Sequence, residues 1–298
     1  METVTLRDGR TLVLKRVSPE WDWISRATGD RGRIASMWND GLFERFPAVI
    51  DHATVGVELE DGAWSVFMRD MSDALVPKGG TLEPTEVRGL LEALAKLHET
   101  FWGESFPELC GLEDRYSLLS FETARREEGT RVGELITKSW DAFADHVPED
   151  IADTIFGLVE RPDLLAEQLR ACTPTLIHGD VRLTNLGFSG DRVVLVDWGE
   201  RTGGAPPAVE LASFLIFDGL QLEMPREGVI AHFREASGER FEERALQLAL
   251  IGGFVQLGSN FGLRIVLGDD EKEREAARGD LRWWTGTVAK ALETWSPS

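Results

Sequence analysis

The sequence predicts an α+β chain in two lobes: a small β-rich one over residues 1–70 and a larger, mainly helical one over residues 71–298. Three observations predict it. Two strand–turn–strand patterns with Asp-Gly turns lie within the first seventy residues. Helical patterns dominate from residue 82 onward. Near residues 175–198, two short apolar runs bracket a polar loop.

Each element has its own justification. VTLRDGRTLVLKRV, residues 4–17, reads as two strands around Asp8-Gly9, a pair that tolerates the positive φ of a tight hairpin. A helix is expected over residues 30–45: Asp30 can cap it, and Ile34, Met37, Trp38 and Leu42 recur at helical spacing. ATVGVELE and AWSVFMRD flank Asp61-Gly62 as a second hairpin. LEPTEVRGLLEALAKLHETFW, residues 82–102, is amphipathic, with Leu90, Leu91, Leu94, Leu97 and His98 on or near one stripe. His98 there reads as a core histidine with a satisfied hydrogen bond before it reads as a ligand. Helices are expected over residues 119–145 and 149–171, the second breaking at Arg161-Pro162, because proline lacks the N–H that continues a helix. TLIH (175–178) and RVVLVDW (192–198) suit strands, and helices resume near Pro207. Residues 241–267 are very apolar. Gly252, Gly253, Gly258 and Gly262 along them suit close helix packing, with a glycine-lined substrate wall as the other reading.

Composition narrows the function classes. Of 298 residues, 42% are hydrophobic and 28% charged, as in soluble globular chains. No N-terminal signal pattern and no run of eighteen apolar residues is present, so a cytoplasmic protein without a membrane span is expected. Cys110 and Cys172 form neither a disulfide framework nor a metal-ligand pattern and read as core thiols. The net charge of −20 argues against nucleic acid as a partner. Residues 1–70 carry 12 acidic and 9 basic residues, while the remainder carries 40 and 23. A solvated acidic surface accounts for that excess, and a cationic small substrate would also suit it.

The polar loop carries the chemistry. In LIHGDVRLTNLGF, His178 precedes Asp180 by two residues and Asn185 follows it by five. Asp197 lies twelve residues further on in VDWG, at the end of an expected strand, and Lys15 ends TLVLK in the β-rich lobe. Phosphoryl transfer needs such a set. A carboxylate orients the acceptor hydroxyl and takes its proton, and a lysine neutralises phosphates. An amide oxygen and a second carboxylate suit Mg²⁺, which binds few protein groups together with phosphate oxygens. A polar turn with local Asp and Asn backbone bonds is the alternative, and it leaves Asp197 unexplained.

HGDVRLTN followed by LVDWGE resembles the aminoglycoside phosphotransferase and choline kinase family, relatives of protein kinases. LAKLHETFW resembles the helix before that family's catalytic loop, and VFMRDMSDAL resembles its interlobe hinge. PPAVELASFL resembles the helix after the metal aspartate, with Glu210 where an aspartate is usual. The resemblance implies a protein-kinase-like two-lobe fold and a small-molecule kinase using ATP or GTP with Mg²⁺. It implies Asp180 as catalytic base, with His178 supporting the loop beside it. Asn185 and Asp197 would be metal ligands, Lys15 would contact the phosphates, and the main chain from Phe67 through Met68 and Arg69 to Asp70 would meet the base edge.

Two departures from the family are visible. Another strand and a phosphate-covering loop usually precede this hairpin, so the N-terminal lobe is expected to be truncated or to carry that loop in reduced form. The lysine usually pairs with a glutamate on the following helix. Residues 30–45 offer Asp30, Asp40 and Glu44 at no matching spacing, with Arg31 and Arg33 in much of the expected turn. A relative that binds a nucleotide or metabolite without transfer is the alternative function. An aspartate-nucleophile hydrolase fits less well, because H-G-D is not the D-x-D such enzymes use. For the acceptor, the candidate charges are Asp218, Glu223, Asp269 and Asp270. Of the adjacent Trp283 and Trp284, at most one would face a cleft.

Overall fold

The computed structural model describes residues 2–9 and 11–295. The chain forms two compact units. One comprises Met1–Gly111 and Thr173–Phe241, the other Leu112–Cys172 and Glu242–Ser298. The architecture is mixed α+β, sheet-rich towards the N-terminus and mostly helical towards the C-terminus.

The first unit begins with β1 (Glu2–Thr5) and β2 (Thr11–Val17). Two short helices follow, α1 (Trp23–Thr28) and α2 (Arg33–Asn39), then β3 (Ile50–Asp51), β4 (Thr54–Glu60) and β5 (Ala63–Arg69). Four strands form an antiparallel sheet in the order β1-β2-β5-β4, with Lys15 opposite Val66. Asp61 and Gly62 both take positive φ, 50° and 77°, so the second hairpin closes on a two-residue turn whose twist matches the strands. The N-cap of α2 is Gly32 and not the expected Asp30, which supports the helix start from two residues before: its Oδ1 accepts from the N–H groups of Gly32 at 2.7 Å and Arg33 at 2.8 Å. The helix is shorter than its apolar spacing suggests. Gly41, at φ 66°, turns the chain out after Asn39, and Leu42 packs from beyond the helix end. Helix α1, capped by Asp22, is too short and too polar for its periodicity to show.

Helix α3 (Pro84–Thr100) opens with Pro84 at its first position and a reciprocal Glu83–Glu86 capping box. It buries Leu90, Leu91, Leu94, Leu97 and His98. Each leucine contributes about 1.5–3 kcal/mol of apolar burial. After the excursion into the second unit, the chain returns through β6 (Thr175–Ile177), β7 (Leu186–Ser189), β8 (Arg192–Leu195) and β9 (Gly203–Ala205). Strands β3, β8 and β7 form one small sheet, β6 and β9 another. Strand β8 stops three residues short of the expected Trp198, because Asp197 leaves extended geometry at φ 68°. Helices α9 (Pro207–Asp218) and α10 (Arg226–Ser237) complete this unit.

The second unit is helical. It contains α4 (Leu112–Tyr116), α5 (Phe121–Arg126), α6 (Arg131–Ala144), α7 (Glu149–Glu160) and α8 (Pro162–Arg170), then α11 (Glu243–Leu257), α12 (Ser259–Leu267) and α13 (Glu271–Leu292). The helix expected over 119–145 divides where Gly129 takes φ 79° and Thr130 caps α6. The break at Arg161-Pro162 falls where expected. The apolar run over 241–267 is two helices bent by 47°. Gly262 lies against the backbone of Ser139 and Phe143, and Gly252 against the Tyr116 hydroxyl, so any side chain there would collide. Among the described residues, no single helix is long and apolar enough to cross a membrane. Cys110 and Cys172 are buried free thiols.

Candidate active site

Strand β6 delivers the chain into the loop His178–Asn185, and α9 clamps that loop at both ends. From the first turn of α9, the fully buried Glu210 accepts the Gly179 N–H at 2.6 Å and the His178 N–H at 2.9 Å. The His98 Nε2 donates to the same carboxylate at 3.5 Å. From the last turn, Asp218 accepts the Leu183 N–H at 2.9 Å. Burial alone would raise the Glu210 pKa. The histidine and the backbone N–H groups outweigh it and hold the carboxyl below the usual glutamate value.

His178 is engaged on both sides of its ring. Nε2 donates to the Val196 carbonyl at 2.9 Å, and Nδ1 accepts the Asp180 N–H at 3.1 Å. The ring meets Trp198 edge-on at 4.3 Å between centroids. With both nitrogens bonded to backbone, His178 shapes the loop.

Asp180 is buried at its tip. The Asn185 amide donates at 3.0 Å to both the Asp180 side-chain Oδ2 and the Asp180 carbonyl. That turns the amide nitrogen inward and leaves Asn185 Oδ1 with only a 3.5 Å contact to the Thr184 hydroxyl. Two arginines attend the carboxylate: Arg182 Nη2 lies 3.3 Å from Oδ2, and Arg201 Nη1 lies 2.9 Å from Oδ1. Both guanidinium groups sit over the Phe217 ring, at 5.4 and 5.7 Å.

The Val196 N–H donates to the Asn185 carbonyl at 3.0 Å and so brings Asp197 beside the loop. Past Asp197, Gly199 takes φ 127°, and its N–H donates to the Thr202 hydroxyl at 3.0 Å. That hydroxyl in turn donates to the His178 carbonyl at 3.1 Å. Lys15 reaches this turn from β2, donating to Asp197 Oδ1 and to Glu200 Oε1, the latter at 3.0 Å. Burial lowers the lysine pKa, but the two carboxylates outweigh it and hold the ammonium above its ordinary value. Asp197 is held below the usual aspartate range: burial raises it, and Lys15 overcomes that. Glu200 goes the other way. Burial raises its pKa and Lys15 does not fully compensate, with Asp197 adding repulsion.

Asn185 and Asp197 line a cavity of about 290 Å³ together with Val13, Met68, Arg69 and Asp70. Phe67 is not among its lining residues; its backbone pairs with Leu14 and Gly56 in the sheet. Among the described residues, no group of three or more His, Cys, Asp or Glu side chains could hold a metal alone. The Asn185 side-chain Oδ1 and the Asp197 carboxylate are oxygen donors of the kind Mg²⁺ takes alongside phosphate oxygens, so the residues present fit that ion.

A sequence model of the phosphotransferase enzyme family matches residues 3–247. The chain belongs to this family. Similar solved structures carry the kinase-like fold. They include choline kinase LicA from Streptococcus pneumoniae, at 13% identity and TM-score 0.53, with 94% of this chain and 86% of that one covered. Another is the aminoglycoside phosphotransferase APH(3'')-Id from Streptomyces rimosus, at 16% identity and TM-score 0.50, with 84% and 88% covered. Spectinomycin phosphotransferase is similar at 14% identity and TM-score 0.51, with 96% and 87% covered. Nothing among curated protein sequences matches the chain.

Within this phosphotransferase family member, Asp180, Asn185, Asp197, His178 and Lys15 lie together: Asn185 bonds Asp180, His178 takes the Asp180 N–H, and Lys15 bonds Asp197. Other candidates fall elsewhere. Asp218 is drawn into the loop clamp, and Asp270 caps α13 by accepting the Glu273 N–H at 2.8 Å. Glu223 is exposed and accepts from Thr81 at 3.4 Å, and Asp269 is exposed. Trp284 is fully buried and Trp283 half-buried. The residues that sequence reasoning missed are Arg182, Glu200 and Arg201. Their one signal was proximity: Arg182 lies between Asp180 and Asn185, and Glu200-Arg201 follows VDWG directly.

Proposed function

We propose that this protein moves the γ-phosphate of ATP or GTP to a hydroxyl of a small molecule. The observation that carries this reading is the junction of Asp180, Asn185 and Asp197 beside a cavity bordered by Met68, Arg69 and Asp70, with Lys15 on Asp197. The Asp180 carboxylate orients the acceptor hydroxyl and takes its proton as the new O–P bond forms and the bond from the γ-phosphorus to the bridging oxygen breaks. Lys15 neutralises the nucleotide phosphates, and the main chain near Met68–Asp70 meets the base. Mg²⁺, held by Asn185 Oδ1 and Asp197, would supply charge neutralisation at the phosphate oxygens. His178 and Glu210 keep the loop in shape.

In this reading residues 1–70 form the nucleotide lobe and residues 71–298 supply catalysis and acceptor recognition, in a cytoplasmic protein without a nucleic-acid or membrane partner. Solved neighbours were crystallised with ADP and streptomycin or with ADP and spectinomycin, and another is a choline kinase. Together with the net acidic charge, this supports an amino sugar, aminoglycoside or amino alcohol as acceptor.

The test is Mg·ATP and Mg·GTP turnover against a panel of those compounds. Transfer is expected in the native protein, with Asp180→Ala slower by about 10²–10⁴-fold, the usual contribution of a general base. Unchanged turnover in Asp180→Ala would sink its assignment as base. Nucleotide binding without transfer to any acceptor would favour the non-catalytic alternative.

A further inference from the structure

We infer that Glu200 is the positioning residue for Lys15, in place of the helix glutamate expected in this family. The inference rests on the nucleotide role proposed for Lys15. Three observations carry it.

Glu200 Oε1 accepts from Lys15 Nζ at 3.0 Å, and both side chains are mostly buried, at 17% and 20% exposure. A shielded, charge-assisted contact of this kind orients an ammonium far better than a surface pair does. The carboxylates near the following helix are engaged or turned away. Asp30 is committed to the N–H groups that start α2, and Asp40 and Glu44 are exposed. Finally, α2 contributes a cation where a glutamate was expected. The buried Arg33 donates from Nη1 to the Glu200 carbonyl at 2.9 Å and from Nη2 to the Thr28 carbonyl at 2.5 Å. The helix therefore holds the backbone of the glutamate, and the glutamate holds the lysine.

Asp197 cannot fill this role on its own. It is the proposed metal ligand, and a carboxylate that shares its charge with a metal ion would hold Lys15 less strongly than it does alone. Glu200, which is not a proposed metal ligand, keeps its full charge for the lysine. Because Glu200 follows Asp197 by three residues on one loop, lysine and metal ligand are set by the same turn of backbone.

The experiment measures the affinity of the full-length protein for a non-hydrolysable ATP analogue with Mg²⁺ by calorimetry, in wild type, Lys15→Met, Glu200→Gln and the double variant. Thermal melting confirms that each is folded. Lys15→Met is expected to weaken binding about tenfold and Glu200→Gln by about three- to tenfold, with the double variant no weaker than Lys15→Met alone, because contacting groups couple. Glu200→Asp, which keeps the charge but shortens the reach, should fall between wild type and Glu200→Gln. Three results overturn the inference: Glu200→Gln binding as wild type while Lys15→Met is weakened, fully additive losses, or a crystal structure of the complex in which Lys15 has left Glu200. If wild type binds no nucleotide, or Lys15→Met binds as wild type, the nucleotide role of Lys15 fails and the inference falls with it, a pattern distinct from the first three.

Discussion

The loop His178–Asn185 and the turn Asp197–Arg201 meet in one site but are held by different forces. Buried carboxylates grip the first by its backbone: Glu210 takes the N–H groups of His178 and Gly179, and Asp218 takes that of Leu183. Side-chain charges hold the second: Lys15 on Asp197 and Glu200, Arg201 on Asp180, and Arg33 on the Glu200 carbonyl. Glu210 sits with donors enough to favour its charge, and its pKa falls. Glu200 is mostly buried with one lysine shared with Asp197, and its pKa rises. The contrast teaches that backbone donors stabilise a buried charge and its loop together. An ion pair shared between two carboxylates leaves one of them under-compensated, a condition suited to a group that must respond to a ligand.

The largest way to break this comparison is Glu210→Ala. It strands two buried backbone N–H groups, each costing about 1–3 kcal/mol, and leaves the buried His98 Nε2 without its carboxylate, so a loss of at least about 2–6 kcal/mol is expected in denaturant unfolding. Asp218→Ala strands the Leu183 N–H, which should cost about 1–3 kcal/mol by the same measurement. Each variant removes backbone anchors, so each should also lower turnover by loosening Asp180. A stable Glu210→Ala protein would mean that the loop is held by His178 and its bonds to Val196 and Asp180 instead.

The same contrast explains what could be read in the sequence. The first loop was legible because its chemistry is local: His178, Asp180 and Asn185 are at fixed spacing between apolar runs. The hairpins were legible because Asp8-Gly9 and Asp61-Gly62 announce their turns. Strand β7 was hidden, since LGFS is only four residues long and contains Gly187, which sits against the Ala74 carbonyl. Strand β8 looked too long because Val196 continues its apolar pattern, and only the backbone geometry at Asp197 ends it. Glu200 could not be assigned, because its partner Lys15 is 185 residues away. Glu210 stood out as a departure from an aspartate, but its grip on two N–H groups depends on how α9 approaches β6, which no local pattern encodes.

Acid sharpens the comparison further, because the two glutamates have opposite linkage. The folded-state pKa of Glu210 lies below its ordinary value near 4.5, so its contribution to stability is fully present above that value. It is lost as pH falls through the lower, folded value. Glu210→Gln should therefore lessen the slope of the stability–pH curve below pH 4.5, and an unchanged slope there would show that other carboxylates set it.

The smallest effect is expected from Glu200→Gln. The folded-state pKa of Glu200 is raised above 4.5, so its ionised form costs stability at neutral pH. That cost is relieved as pH falls through the raised value. Replacing the carboxyl with an amide removes the charge and its repulsion from Asp197 while leaving Asp197 on Lys15. Melting at pH 7 should then match or slightly exceed wild type, even though nucleotide affinity falls. A clear loss of stability would place Glu200 with Glu210 as a structural anchor, and the division between the two loops would dissolve. A retained melting temperature with weakened nucleotide binding would mean that Glu200 is kept ionised for the lysine it orients, against the preference of the fold.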